Sequence, residues 1–89
     1  MYPFIETFVS ENVRLRTFAG NVSSEELTWH RDAKHRKVRI IESTGWYFQF
    51  DNQLPFELKS GIIIDIPRKT WHRVIRRKDS GDLIVEITE

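Results

Sequence analysis

The chain has 89 residues, with 14 Lys and Arg against 13 Asp and Glu, and no cysteine. A chain this short encloses one core at the lower end of what folds alone, burying about 60% of its unfolded surface. Nearly cancelling charges argue against a nucleic-acid or membrane-surface partner, and the missing cysteines exclude disulfide staples, thiolate catalysis and cysteine-held zinc.

No run approaches the roughly 18 apolar residues of a membrane span. The start, MYPFIETF, lacks the charged head and apolar core of a secretion signal. A cytoplasmic protein is the expectation, with residues 1–89 forming one domain.

Residues 1–12 set Tyr2, Phe4, Ile5, Phe8 and Val9 around a proline and read as an edge strand or a dimer arm. Val13 to Phe18 is a short extended run with Val13, Leu15 and Thr17 on one face. Gly20-Asn21 turns the chain. Ser23 to Glu26 reads as one helical turn with Ser23 as its cap. Leu27 to His30 resumes an extended run, Arg31 to Lys37 is densely polar, and Val38 to Ile41 reads as a strand before the Ser43-Thr44-Gly45 turn.

Trp46, Phe48 and Phe50 alternate with Tyr47 and Gln49, the period-2 pattern of a half-buried strand. Their side chains are expected in the core. Asp51-Asn52-Gln53 is a hairpin turn. Leu54, Phe56 and Leu58 alternate next, with Pro55 marking an edge. Ile62, Ile64 and Ile66 lead to Pro67, which stops the strand, and Arg68-Lys69-Thr70 turns into a strand over 71–76. That register sets His72 and Val74 on one face, and Trp71, Arg73 and Ile75 on the other. After Lys78 to Gly81, the residues Leu83, Val85 and Ile87 alternate in the last strand. Seven to nine short strands without an ordinary helix predict an all-β antiparallel sandwich or barrel.

Within this pattern His30 and Asp32 stand two apart on one strand face. A neutral imidazole and a carboxylate so spaced, joined by a distant histidine, make a three-ligand face for divalent iron, manganese, nickel or zinc. His72 is the third member and His35 a candidate fourth. The alternative reading is structural: Asp32 pairs with Arg36, and His72 is a hydrogen-bonded core residue. Trp29 and Trp71, each preceding a candidate histidine, read as outer walls of the barrel or of a dimer contact. Arg73, Arg76, Arg77 and Lys78 read as a solvated strand end, and Glu42 as a turn residue. No glycine-rich phosphate loop is present.

Gly61, Pro67 and His72 fall where the second motif of the cupins has a glycine, a proline and a histidine, with Lys69 and Arg76 replacing that motif's other glycine and its asparagine. His30 and Asp32 stand where the first motif has His-x-His, and Gly45 where it closes on glycine. Gly45 and Gly61 are separated by 15 residues, at the short end for that family. The chain therefore resembles a cupin over about residues 28–76, and its WHRD and GWYFQFD segments resemble small cupin-like proteins of bacteriophages and bacteria.

The resemblance implies a small jelly-roll barrel, also called a double-stranded β-helix, with His30, Asp32 and His72 pointing inward near one mouth. It implies one divalent metal ion there or, alternatively, a metal-free structural or small-ligand-binding module. Val38 stands near the place of the family's glutamate ligand. The His-x-Asp pair with a distal His also resembles the 2-oxoglutarate-dependent oxygenases, for which Arg76 and Arg77 are the candidate carboxylate-holding residues. An aromatic N-terminal arm beside an open edge predicts a homodimer.

Overall fold

The computed structural model describes residues 3–89, so Met1 and Tyr2 of the N-terminal arm lie outside the described residues. Eight strands form among the described residues: β1 Ile5–Phe8, β2 Val13–Phe18, β3 Arg36–Glu42, β4 Trp46–Phe50, β5 Phe56–Glu57, β6 Ile63–Ile66, β7 His72–Arg76 and β8 Leu83–Thr88. A single 3-10 turn, Ser24–Glu26, begins where the Ser23 hydroxyl accepts from the Glu25 amide. The strands make two antiparallel sheets, a five-stranded one in the order β1-β2-β8-β3-β6 and a three-stranded one in the order β5-β4-β7. This is the expected all-β jelly-roll barrel.

Alternation decides which side chains reach the middle. Val38 and Ile40 of β3, Ile64 and Ile66 of β6, and Leu83, Val85 and Ile87 of β8 are buried from the larger sheet; Trp46 and Phe48 of β4 meet them from the smaller. Burying each such side chain is worth about 1.5–3 kcal/mol. Trp46 is fully buried, and its indole N–H donates to the Gly81 carbonyl at 2.7 Å, so its one polar atom is satisfied.

Several elements differ from the sequence expectation. β3 starts at Arg36, two residues early, because Arg36 and Lys37 pair with Ile66 and Asp65 while their side chains alternate as the pleat requires. β5 keeps only Phe56–Glu57, since Leu54 stands 87% exposed ahead of Pro55. Ile62 and Trp71 fall just outside β6 and β7. Leu27 to His30 forms no strand: only His30 pairs, in one isolated bridge to His72.

The turns explain the glycine spacing. Gly45 and Gly61 hold φ of +76° and +92°, where a Cβ is strained, and a Cβ on Gly45 would meet the Ser80 Cα at 3.0 Å. Lys69, which replaces a motif glycine, adopts the same left-handed region at φ 59°. The turn it makes is therefore kept without the residue that suits it.

Candidate metal centre

β7 opens on His72, whose backbone pairs with Phe50 of β4 on one side and with His30 on the other. His30 N–H donates to the His72 carbonyl at 3.0 Å and His72 N–H to the His30 carbonyl at 2.9 Å. One face of this pair looks into the barrel, where the imidazoles lie edge to face with centroids 4.2 Å apart. His72 is 4% exposed and stacks on Phe48, whereas His30 sits at the open mouth. Asp32, two residues on, lines the same cavity although the segment is not a strand. Ligand atoms of His30, Asp32 and His72 all lie within 4.8 Å of one another.

Each imidazole is oriented by its own chain. His72 Nδ1 donates to the Thr70 carbonyl at 2.8 Å and His30 Nδ1 to the Thr28 carbonyl at 3.1 Å. A carbonyl can only accept, so in the neutral ring the proton sits on Nδ1 and Nε2 carries the free lone pair, the arrangement that outer partners impose on metal-binding histidines. Burial, reinforced by the charges of His30 and Arg36, pushes the His72 pKa below its usual value against the opposing pull of the Thr70 bond and Asp32. His72 is therefore neutral at pH 7.

Asp32 closes the set. Its Oδ1 lies 3.2 Å from Arg36 Nη1, and its main-chain carbonyl accepts from the Lys69 amide at 2.7 Å. Its Oδ2 faces His72 Nε2 at 3.4 Å, is buried, and has no hydrogen-bond partner. Neither atom can donate when His72 is neutral, so two lone pairs face each other across that gap. A buried acceptor left so is costly unless a cation lies between. Two ligand atoms each about 2.1 Å from one ion stand roughly 3.0–3.4 Å apart, so the gap has the size and the donors have the chemistry for a divalent metal.

The other sequence candidates lie elsewhere. His35 is exposed and faces Asp65, with Nε2 3.5 Å from Oδ1. Arg76 is at the far end of β7, about 13 Å along the strand from His72 at ~3.3 Å per residue. Its guanidinium is tied to the Val22 and Arg77 carbonyls and the Ser80 hydroxyl, and Arg76 is not among the described residues lining the cavity. Arg77 faces Asp79 on the surface. Among the described residues, Arg16 and Arg36 are the arginines that line the interior.

The sequence carries one further signal, a short repeat, that takes its meaning only from the fold. The tetrapeptide Thr-Trp-His-Arg occurs twice, at 28–31 and 70–73. The two copies cross antiparallel at the His30–His72 bridge, which puts Trp29 opposite Arg73 and Arg31 opposite Trp71. Arg73 lies 4.5 Å above the Trp29 ring and Arg31 5.1 Å above the Trp71 ring. Inside the barrel the copies present histidines; outside, two indole–guanidinium stacks brace the crossing.

No family profile matches the sequence, and no curated protein matches it significantly. Solved structures do match by shape. A cupin-like protein from Thermotoga maritima superposes with a TM-score of 0.68 at 16% identity over 96% of this chain, which spans 65% of that protein's length. A cupin domain from Bordetella pertussis gives 0.63 at 20% identity over 98% of this chain and 93% of its own. The iron(II) form of HppE in complex with substrate gives 0.68 at 9% identity, over 97% of this chain and 52% of that one. At these identities the likeness is one of architecture, and by fold this chain is a small cupin-like β-barrel.

Proposed function

We propose that the chain binds one divalent metal ion, iron, manganese, nickel or zinc, through His30 Nε2, an Asp32 carboxylate oxygen and His72 Nε2. The observation carrying this reading is the buried Asp32 Oδ2, without a hydrogen-bond partner and 3.4 Å from His72 Nε2. Two histidines and one carboxylate leave coordination positions for water or a ligand. The ion supplies a Lewis-acid centre able to polarise an oxygen donor. The chain's own residues do the rest: Thr28 and Thr70 carbonyls fix the imidazoles, Arg36 and the Lys69 amide hold Asp32, and the apolar core excludes water.

One observation favours a metal-free module instead. The Arg36–Asp32 contact at 3.2 Å already gives Asp32 a counter-charge, leaving the fold as a ligand-binding barrel. Elemental analysis of untagged, chelator-free protein beside His72→Ala separates the two. Near-stoichiometric metal, lost in the variant, supports the metal site. Absence of metal from both after reconstitution with iron or zinc removes it.

A homodimer belongs to the same proposal. Its support is the open edge of β1, where Ile5, Phe8 and Val9 stand 75%, 70% and 58% exposed.

A further inference from the structure

We propose that the barrel interior takes a small monocarboxylate with an apolar tail, its head at the His30–Asp32–His72 cluster and its tail along the core; this rests on the metal reading above. The interior cavity holds about 450 Å³. At the ~30 Å³ a water molecule occupies in the liquid, that is room for roughly 15 heavy atoms. Beyond the cluster its walls are Val38, Ile40, Phe48, Ile64, Val74 and Val85 among other apolar side chains. Such a wall favours a tail without polar atoms and offers it no hydrogen bond.

Charge selects the head. Among the described residues the charged groups lining the cavity are Arg16, Arg36, Glu26 and Asp32, and the two arginines are also paired with Glu6 and Glu89, which Arg14 bridges; three arginines thus meet four carboxylates. A divalent ion there leaves one positive charge uncompensated beside apolar walls, and a single carboxylate offsets it. The number of donors then selects among anions. Arg36 is committed to Asp32 and Glu89, and Arg16 to Glu6 and the face of Phe4. A phosphate has more oxygens than these committed guanidiniums can serve. A carboxylate has two, and the ion satisfies them.

The test is calorimetric titration of the zinc-loaded full chain with acetate, butanoate, hexanoate, octanoate and decanoate, then with hexanol, hexylamine and inorganic phosphate. Affinity is expected to rise about fourfold per methylene from butanoate to decanoate and to level off only in longer acids, as the cavity fills. Hexanol, hexylamine and phosphate are expected to bind at least tenfold more weakly than hexanoate. Affinity independent of chain length, or hexanol equal to hexanoate, overturns the proposal. Zinc titrated alone reports on the metal site separately: its failure removes both readings, while zinc binding with a flat carboxylate series removes only this one. Val74→Phe is expected to move the levelling point to a shorter chain, and the series on the unaltered protein decides the matter if that variant does not fold.

Discussion

His30 and His72 exchange both of their backbone hydrogen bonds, at 3.0 and 2.9 Å, across a crossing that belongs to no continuous ladder. The first half of the metal cluster thus hangs on one bridge, the Lys69 amide and two outer Trp–Arg stacks. We expect Trp29→Ala to lower metal affinity by roughly tenfold, in the range found when an outer partner of a ligand is lost. Circular dichroism should stay that of the folded barrel, because Trp29 lies outside the core. Zinc competition against a chromogenic chelator reads the change, and an unaltered affinity would show that the bridge positions His30 unaided.

Asp32→Asn is expected to abolish metal binding and yet stabilise the metal-free protein. An amide at the Oδ2 position can donate to His72 Nε2, replacing two opposed lone pairs by a hydrogen bond worth about 0.5–1.5 kcal/mol. Its oxygen still accepts from Arg36. Thermal unfolding in chelator reads the gain, and a lower melting temperature would count against the facing lone pairs.

Acid should destabilise the metal-free protein in two stages. The folded pKa of His72 is depressed, so as pH falls below 6.5 the unfolded chain takes a proton that the folded one refuses, and stability drops. At Glu6 and Glu89, burial pushes the pKa up, but Arg16 and Arg14 at the first, and Arg36 and Arg14 at the second, outweigh it and leave both lowered. Their stabilisation is present above 4.5 and is lost as pH falls through the folded values. Urea midpoints from pH 7.5 to 3 should fall in both windows, and Glu89→Gln should flatten the lower one while sparing the upper.

Lys69→Gly is expected to raise stability by about 0.5–1 kcal/mol, because a lysine at φ 59° carries strain that glycine lacks. In a domain of this size that is several degrees of melting temperature. A fall in melting temperature would mean that the lysine side chain contributes more than its backbone costs.

Sedimentation velocity at high micromolar concentration should show a dimer, and Phe8→Glu should return it to monomer by charging the exposed edge of β1. A monomeric unaltered chain would remove the dimer from the proposal.

The strands of strict alternation, Trp46–Phe50 and Leu83–Thr88, were legible because one face of each is buried and the other is not. The cluster was legible from the two-residue spacing of His30 and Asp32 and the entry of His72 into β7. The surroundings of Arg76 were only half legible: Ser80 stands four residues on, but the Val22 carbonyl that its guanidinium also meets lies 54 residues away. Arg36 was read only as a partner for Asp32, since Glu89, its other partner, lies 53 residues away. The repeated Thr-Trp-His-Arg was visible throughout; its meaning came only from the antiparallel crossing that sets each tryptophan over the other copy's arginine.

His30 and Asp32 lie on the segment leading into β3 of the larger sheet, whereas His72 begins β7 of the smaller. An ion shared among them would act as a clasp between the two layers, at the mouth where the backbone joins them by the His30–His72 bridge and the Lys69–Asp32 bond. Loading it would slow the parting of the layers there more than anywhere along the aliphatic core, so amide exchange at His30 and His72 would become the local gauge of occupancy.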